Sequence, residues 1–372
     1  LFRSFLSSPS APGSGELPHS LPASLEIIAA GHPIPDAGSL KAAAAVTSLL
    51  TKAGAHDLVL GLISGGGSAL LTSPAADLTL DDLQELTGAL LSSGASINEI
   101  NTLRKHLETL KGGGIAQTAA PAPLACLILS DVIGDPLDMI ASGPSVPDPT
   151  TYAQTYQILE HYQLTEKVPP RILSRLDRGR CGQIPETPKP GDALFEQVSN
   201  QVIGSNFQAA QAALSQAQAE GFHTLLLTTS LQGEARQAGR CLASILRQVR
   251  ASGQPLPSPC CLIAGGETTV SLKGDGLGGR NQELALGAVA DLAGLEAVFL
   301  ISLASDGEDG PTDAAGAVTS GETLARAQAL GLDPADYLAH NDAYHFFQPL
   351  GDLIRCGPTQ TNVNDLVFLF AC

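Results

Sequence analysis

Residues 57–69 read DLVLGLISGGGSA, so an apolar run leads directly into three glycines. An uninterrupted apolar run of this length predicts a strand buried on both faces, and the glycines predict a tight loop after it. Leu83, Leu86 and Leu90 then recur at the spacing of one helix face. We therefore expect a strand, a glycine loop and a helix, in that order.

The same alternation continues along the chain and predicts an α/β fold built from parallel layers. Predicted strands cover residues 124–129, 200–204, 223–229, 260–264, 298–304 and 366–370, and predicted helices cover 40–50, 207–220 and 281–292. The first helix should start near Asp36 or Ser39. A length of 372 residues favours two domains, and the Pro-rich stretch at 181–192 is typical of a link between them. We expect a poorly ordered arm at 1–24 and domains at 25–190 and 191–372.

Composition excludes several classes of protein. Hydrophobic residues make up 44% of the chain and charged residues 15%, which argues against extensive disorder. The net charge of −17 repels polyanions and argues against a nucleic-acid partner. No apolar run approaches the roughly 18 residues of a membrane-spanning helix, so we expect no membrane partner.

The seven cysteines include no C-x-x-C pair. Cys126, Cys260 and Cys261 lie in apolar runs and are predicted to be buried thiols. A disulfide framework and a zinc site both fit this pattern badly. A reducing compartment is the simplest interpretation, and we expect a cytoplasmic protein.

Two stretches of the first half could bind an anion. Successive glycines at 65–67, flanked by Ser64 and Ser68, can point backbone N–H groups at one anion, although a tight turn explains them equally well. Neither standard nucleotide fingerprint is present here. Arg104 and Lys105, close to Asn101 and Lys111, could hold a carboxylate or phosphates, or they could form a solvated helix face.

The second half offers further polar groups next to predicted strands. Glu267 and Thr268 follow a strand, and a glycine loop then brings Arg280 to a helix start, where a cation is disfavoured unless an anion shares the site. Asp306 and Asp309 lie in an acidic loop whose oxygen ligands suit Mg²⁺.

Three weaker candidates also lie next to predicted strands. Asp131 follows a strand of the first half, where it could serve a hydroxyl, a metal or a base role, or cap a turn. Thr359 and Asn362 precede the last strand in a stretch that is also typical of turns. Taken together, these groups suit phosphoryl transfer better than acyl transfer, because no G-x-S-x-G elbow is present.

Eleven short motifs, in order along the chain, resemble those of the class II glycerate kinases with a C-terminal MOFRL domain. They are GHPIPD at 31–36, SGGGSA at 64–69, NTLRK at 101–105, KGG at 111–113, SD at 130–131, ASGP at 141–144, GSN at 204–206, GGETT at 265–269, GGRNQE at 278–283, DGEDGPTD at 306–313 and GPTQTNVND at 357–365. The similarity runs from about residue 31 to the end, and the compound motifs are far more specific than any single one.

The resemblance implies ATP-dependent phosphorylation of D-glycerate to 2-phospho-D-glycerate, with Mg²⁺. It also implies a larger Rossmann-like three-layer N-terminal domain, a smaller α/β MOFRL domain at about 258–370, and an active site in the inter-domain cleft. Arg280 and Asp306 match residues thought essential: Arg280 would stabilise the transferring phosphoryl group, and Asp306 would accept the hydroxyl proton or hold Mg²⁺, with Asp309 as a second ligand. The expected substrate- and nucleotide-binding residues are Ser64, Gly65, Gly66, Gly67, Ser68, Asn101, Arg104, Lys105, Asp131, Asn206, Glu267, Thr268, Thr359 and Asn362.

One departure from the family pattern qualifies this interpretation. Members carry a catalytic lysine on a Gly-x-Gly-Lys-type turn, expected upstream of Gly31, but Arg3 is the only cation before His19. The absence of Met at position 1 favours a fragment; if the chain is whole, we expect severely reduced turnover and an exposed apolar sheet edge. Two alternatives remain, a hydroxypyruvate reductase and a catalytically inactive ligand-binding relative. The sequence leaves open whether the chain forms a homodimer.

Overall fold

The computed structural model describes the backbone of residues 4–9 and all of residues 25–372. Strand β1 (Ser4–Pro9) falls within the arm predicted for residues 1–24 and pairs in parallel with β2 (Leu25–Ala30). The rest of the predicted arm lies outside the described residues.

The chain divides into two compact units. Unit 1 comprises Leu1–Ile128 and Asp135–Ile203, and unit 2 comprises Leu129–Gly134 and Gly204–Cys372. The Pro-rich stretch at 181–192 belongs to unit 1, where the backbone N–H of Asp148 donates to the Pro188 carbonyl at 2.9 Å. The domain boundary expected between residues 190 and 191 stays a prediction.

Unit 1 contains seven helices and a three-stranded sheet among its described residues, besides β1 and β2. The strands are β3 (Val59–Ile63), β4 (Leu124–Leu129) and β5 (Val198–Gly204), in that order across the sheet. The helices are α1 (Ala37–Leu50), α2 (Gly67–Leu70), α3 (Leu80–Ser93), α4 (Ile97–Leu107), α5 (Gly114–Ala119), α6 (Tyr152–His161) and α7 (Pro170–Arg180), with short 3₁₀ turns at Ile140–Ser142 and Ala193–Gln197.

Local sequence fixes where the helices of unit 1 begin. Asp36, Thr79, Ser96 and Thr151 each form a capping box with the residue three positions later, at the starts of α1, α3, α4 and α6. The helix start predicted near Asp36 or Ser39 uses both of these residues. Each box satisfies N–H groups that the first helical turn would otherwise leave unpaired.

The apolar faces of these helices form the core of unit 1. The predicted helix face is confirmed, because Leu83, Leu86 and Leu90 are 5%, 3% and 1% exposed. They pack with Leu103 of α4 and Ile172 of α7 in one cluster. The sheet is less well covered: its edge strand β3 leaves Leu60 and Leu62 58% and 74% exposed.

Unit 2 is built on a six-stranded sheet. Its strands are β6 (His223–Leu231), β7 (Cys260–Gly266), β8 (Val298–Ala304), β9 (Gly316–Ser320), β10 (Leu353–Ile354) and β11 (Asp365–Ala371). Its helices are α8 (Asn206–Ala219), α9 (Ala235–Ser252), α10 (Arg280–Leu292), α11 (Thr323–Ala329), α12 (Pro334–Ala339) and α13 (Ala343–Phe347).

The order across this sheet is β10-β9-β8-β11-β7-β6. The α/β fold class is confirmed, and the predicted parallel pairing is present between β3 and β4 and between β6 and β7. It is wrong for the rest of the larger sheet, because β11 runs antiparallel to both β7 and β8, and β9 runs antiparallel to β8. The short connection from β8 to β9 imposes that direction, since neighbouring parallel strands need a long crossover.

Helices cover both faces of β7 and bury it completely. Cys260, Leu262 and Ala264 belong to one apolar cluster with side chains of α9 and α10. Cys261 and Ile263 point to the other face, where they pack with Ala210 of α8. The burial predicted for the thiols of Cys126, Cys260 and Cys261 is confirmed. No helix among the described residues has the length and apolar character needed to cross a bilayer.

Candidate active site

The register of unit 2 gathers several polar groups at one edge of its sheet. Asp365 opens β11 and pairs with Gly266 at the end of β7 and with Ala304 at the end of β8. Glu267 therefore follows on one side of Asp365, and Asp306 follows on the other. We call Glu267, Arg280, Asp306, Asp309 and Asp365 the strand-end cluster.

Two carboxylates hold the guanidinium of Arg280. Its Nε donates to Oδ2 of Asp365 at 2.6 Å and its Nη2 donates to Oδ1 at 3.1 Å, a bidentate contact. Its Nη1 donates to Oε1 of Glu267 at 2.6 Å. Burial alone would lower the pKa of Arg280, but these two carboxylates and the nearby Asp309 outweigh it and raise the pKa. Arg280 is thus a fixed, permanently charged cation.

Asp309 caps the helix that begins with Arg280. Its Oδ1 accepts from the backbone N–H of Asn281 at 3.0 Å, and its Oδ2 accepts from that of Gln282 at 2.8 Å. A side chain at Gly279 would collide with the Asp309 carboxyl, which packs directly under the helix start. Burial raises the pKa of Asp309 to about 6, against the lowering effect of these hydrogen bonds. The anion predicted at this helix start is therefore supplied by the protein itself.

Asp306 lies in the acidic loop but does not pair with Arg280. Its backbone carbonyl accepts from the N–H of Thr359 at 2.8 Å, and its Oδ1 accepts from the N–H of Glu308 at 3.2 Å. Among the described residues, no hydrogen bond or ion pair joins its carboxylate to the Arg280 guanidinium. The structure thus places both predicted catalytic residues at one sheet edge and leaves the Asp306 carboxylate partly exposed.

Mg²⁺ commonly uses one or two protein carboxylates together with substrate phosphates and water. Asp306 fits that requirement, because it is partly exposed and only one of its oxygens has a hydrogen bond among the described residues. Both oxygens of Asp309 are engaged in the buried helix cap, so its predicted role as a metal ligand stays a prediction. Within residues 25–372, no three His, Cys, Asp or Glu side chains form a group that could hold a metal ion.

Asn206 and Asn364 connect the loops around the strand-end cluster. The Nδ2 of Asn206, a buried residue at the start of α8, donates to the carbonyls of Val363 and Asp365, both at 2.9 Å. The Nδ2 of Asn364 donates to the carbonyl of Asp131 at 2.7 Å. The predicted binding residues Asn206 and Asp131 therefore lie at the same sheet edge, and Asn206 fixes the backbone that carries Asp365.

The remaining predicted residues of unit 2 shape its loops. The Oγ1 of Thr359 donates to the carbonyl of Ser305 at 2.6 Å. The Oδ1 of Asn362 accepts from the N–H of Asn364 at 2.9 Å. Thr268 is buried directly after Glu267. Thr359 and Asn362 are exposed and accessible to a ligand.

In unit 1, the glycine loop starts the short helix α2. Gly66 has φ +81°, a conformation that favours glycine, and it lies against the His32 ring. The Oγ of Ser68 lies 2.8 Å from the Oγ of Ser142, which donates to Oδ1 of Asn101 at 3.0 Å. The predicted residues Ser68 and Asn101 are thus connected through Ser142. Ser64 and Gly65 are exposed.

Ser142 was missed as a site residue, although the ASGP motif contains it. Ala141 and Ser142 adopt left-handed conformations, with φ of 50° and 61°. Such backbone strain costs of order 1–3 kcal/mol per residue and persists where the surroundings impose it. Here the N–H groups of Gly112 and Gly113 donate to the carbonyls of Ser142 and Gly143 and hold the turn.

Most of the predicted basic cluster is buried and paired. Lys105 is 1% exposed, and its Nζ lies 3.0 Å from Asp148 and 3.5 Å from Asp138. The Nζ of Lys111 lies 2.7 Å from Glu108 and donates to the Ser68 carbonyl at 2.8 Å. Lys105 is therefore neutralised inside unit 1, and its predicted substrate contact stays a prediction.

Arg104 differs from its neighbour Lys105. It is partly exposed and lines a small pocket with Ser68, Thr72 and Glu108. Burial lowers the pKa of Arg104, and the Glu108 charge opposes this effect. Its guanidinium has no hydrogen bond or ion pair within the described part of the chain. Unlike Lys105 and Lys111, Arg104 therefore has N–H donors that a ligand could use.

Asp365 is the main residue that sequence reasoning missed in unit 2. Its position at the end of the GPTQTNVND motif makes it look like the last residue of a turn. The available signal was that a charged residue directly preceded a strand predicted to be buried, where an unpaired charge is costly.

Two family models match the chain, one described as a domain of unknown function (DUF4147) over residues 10–177 and the other as the MOFRL family over residues 260–365. A Thermotoga maritima protein named D-glycerate 2-kinase is 46% identical over 344 residues, which cover 92% of this chain and 79% of that protein.

Two further similarities concern the choice between a kinase and a hydroxypyruvate reductase. An Agrobacterium vitis protein named putative hydroxypyruvate reductase is 42% identical over 351 residues, covering 94% of this chain and 78% of that protein. The crystal structure of a Thermotoga maritima glycerate kinase matches with a TM-score of 0.90 at 42% identity, covering 100% of this chain and 85% of that chain.

Proposed function

Because the chain belongs to the glycerate kinase family of DUF4147 and MOFRL proteins, we propose that it transfers the terminal phosphoryl group of ATP to D-glycerate. The proposed product is 2-phospho-D-glycerate. Mg²⁺, when bound, would neutralise charge on the phosphates. The name D-glycerate 2-kinase, which the Thermotoga maritima relative carries, supports the choice of the 2-hydroxyl.

The arrangement of Arg280 carries this proposal. Phosphoryl transfer depends on positioning and on neutralising charge, with little covalent chemistry by the protein. A guanidinium has five N–H donors, and the contacts with Asp365 and Glu267 use three of them. The two remaining donors belong to a cation with a fixed orientation at a sheet edge, which suits the oxygens of a transferring phosphoryl group.

Asp306 supplies the second group that the reaction needs. Its carboxylate could accept the proton of the attacking glycerate hydroxyl, or it could help to hold Mg²⁺. Both roles require an accessible carboxylate that is not already used as a helix cap. Asp306 meets this requirement, whereas Asp309 does not. We propose that Asp306 serves one of these two roles.

In unit 1, we propose that Arg104 and the Ser68 hydroxyl bind the glycerate carboxylate or a phosphate. Arg104 keeps its donors among the described residues, whereas Lys105 and Lys111 are neutralised by buried carboxylates. A planar guanidinium also matches a carboxylate in geometry better than an ammonium does.

A coupled assay with purified protein tests the proposed reaction. ADP formation should require D-glycerate and Mg²⁺, and the product should be consumed directly by enolase, which accepts 2-phosphoglycerate but not 3-phosphoglycerate. Arg280→Lys should lower kcat by about 100-fold, because lysine cannot make the bidentate contact. Arg326→Lys is the control, since Arg326 also pairs with an aspartate elsewhere on unit 2, where its Nη1 donates to both carboxylate oxygens of Asp352.

The same preparation distinguishes the alternatives. NADH oxidation with hydroxypyruvate and no ADP formation would support the reductase, although the sequence lacks a dinucleotide fingerprint. Binding of ATP and glycerate by calorimetry with no turnover would support an inactive relative. Either result would overturn the proposed phosphoryl transfer.

A further inference from the structure

The two carboxylates that contact Arg280 differ in how firmly they are held. Asp365 is 7% exposed, opens a central strand and makes a bidentate contact. Its own backbone carbonyl accepts from the buried Asn206. Glu267 is 44% exposed, lies in the loop after β7 and makes one contact through Oε1.

The negative charge around Arg280 opposes the binding of an anionic ligand as long as both Glu267 and Asp365 contact the guanidinium. One guanidinium faces Glu267 and Asp365, and Asp309 is close enough to affect its pKa. An incoming phosphate would therefore meet a cation whose charge is already more than balanced. Binding becomes favourable if one carboxylate leaves Arg280 as the phosphate arrives.

Burial decides which carboxylate leaves. Separating Asp365 from Arg280 would leave an unpaired charge in the protein interior, which is strongly unfavourable. Separating Glu267 moves an already exposed side chain into water, and exposed ion pairs contribute little to stability. The phosphate can then replace Glu267 at Nη1 without disturbing the Asp365 contact.

We propose that Asp365 is the positioning residue that fixes the Arg280 guanidinium, and that Glu267 is a displaceable counterion whose place an anionic phosphate takes. This inference deepens the proposed function, on which it rests for the identity of the natural phosphate donor. It predicts different effects for two substitutions that each remove one carboxylate from Arg280. Glu267→Gln should strengthen phosphate binding, whereas Asp365→Asn should lower kcat.

Binding of inorganic pyrophosphate, measured by calorimetry at fixed ionic strength without glycerate, tests the displaceable role. Glu267→Gln should bind pyrophosphate about fivefold more tightly, the equivalent of roughly 1 kcal/mol. Asp352→Asn removes one carboxylate from the Arg326 pair elsewhere on unit 2 and should leave affinity unchanged. Equal or weaker binding by Glu267→Gln would overturn this part of the inference.

Steady-state kinetics test the positioning role. Asp365→Asn should lower kcat by about 100-fold while the KM for ATP changes much less, because a misplaced guanidinium loses its contact with the transition state. In an Arg280→Lys background the same substitution should cost little more, since Asp365 acts through Arg280. Full additivity of the two losses would contradict the positioning role.

A further double-mutant cycle remains decisive if Asp365→Asn does not fold. The gain in pyrophosphate affinity from Glu267→Gln should disappear in an Arg280→Gln background. A gain that persists there would show that Glu267 acts by general repulsion and would overturn the inference. Because pyrophosphate binding needs no glycerate, a protein that shows this gain but does not phosphorylate glycerate would refute the proposed function alone.

Discussion

Strands β3 of unit 1 and β7 of unit 2 have similar apolar sequences but different surroundings. Every residue of β7 is buried, because α9 and α10 cover one face and α8 covers the other. β3 alternates between partly buried and exposed residues, and Leu62 is 74% exposed. An uninterrupted apolar run therefore predicts a strand correctly but does not establish that both of its faces are covered.

The two units also differ in the charged side chains that they bury. Unit 1 buries several charged side chains, among them Lys105, Lys111 and Asp148. Unit 2 also buries carboxylates, among them Glu283, Asp309 and Asp365, but the cluster around its strand β7 is apolar. Both buried lysines of the described residues lie in unit 1, so we infer that ion pairs of buried ammonium groups contribute to stability there.

The largest expected effect concerns the buried pair of unit 1. Asp148→Asn should destabilise unit 1 by about 3–5 kcal/mol, because it leaves Lys105 charged and buried with only the more distant Asp138. Asp352→Asn, in the partly exposed pair with Arg326, should cost less, about 1 kcal/mol. Urea unfolding followed by circular dichroism and pulse proteolysis measures both, and similar costs would contradict the greater importance of the fully buried pair.

A pair of leucine substitutions tests the contrast between the strands directly. Leu262→Ala in β7 should cost about 2–5 kcal/mol, because the side chain is fully buried and its removal leaves a cavity. Leu62→Ala in β3 should change stability by no more than about 0.5 kcal/mol. The same unfolding measurements apply. A large cost at Leu62 would show that its side chain is covered in solution.

Two buried carboxylates should give the units opposite responses to pH. Burial alone would raise the pKa of Asp148, but hydrogen bonds from Thr150 and the charges of Lys105 and His106 outweigh it and lower the pKa below 3.8. Its contribution to stability is present above pH 3.8 and is lost as the pH falls through the folded-state pKa.

Asp309 has the opposite sign. Its pKa is raised from 3.8 to about 6, so its contribution is present below pH 3.8 and is lost as the pH rises towards 6. The shift corresponds to at most about 3 kcal/mol. Pulse-labelled hydrogen exchange during urea unfolding resolves the units: unit 1 should lose stability from pH 4 to pH 2.5, and unit 2 from pH 4 to pH 6.5. Asp309→Asn should flatten the response of unit 2 alone. An unchanged response in that variant would contradict the assignment.

The smallest expected effect concerns helix caps. Ser96→Ala should destabilise α4 by about 1 kcal/mol, because it removes the side-chain acceptor of a capping box. Glu322→Ala at the start of α11 should cost less, since the Glu322 side chain makes no cap hydrogen bond there. Thermal unfolding of the two variants compares them, and an equal loss would indicate that the Ser96 box contributes little.

These caps also show how much of the fold could be predicted from sequence. The box of Asp36 and Ser39 is local, so the start of α1 could be predicted from residues three positions apart. The cap of α10 comes from Asp309, which lies 28 positions from Asn281 and approaches it only when the sheet has formed. The antiparallel insertion of β11 is likewise a long-range choice that its apolar sequence does not encode.

The candidate site also combines residues that local sequence could predict with residues that depend on long-range contacts. Arg280, Glu267 and Asp306 could be predicted because each follows a glycine-rich loop or a strand, and the structure brings them to one sheet edge. Lys105 looked equivalent to Arg104 in sequence, but the structure buries Lys105 beside Asp148. Asp365 was missed because its partner Arg280 lies 85 positions away.

The central position of β11 affects how unit 2 can be made on the ribosome. β11 pairs with β7 on one side and with β8 on the other, but it is synthesised after both of them. β7 ends at residue 266 and β8 at residue 304, whereas β11 begins at residue 365. Until residue 371 has left the exit tunnel, these two strands have no central partner, and their unpaired edges are open to the wrong neighbours. Arg280 acquires Asp365 in the same late step, so its guanidinium should reach its fixed orientation only when translation has passed β11.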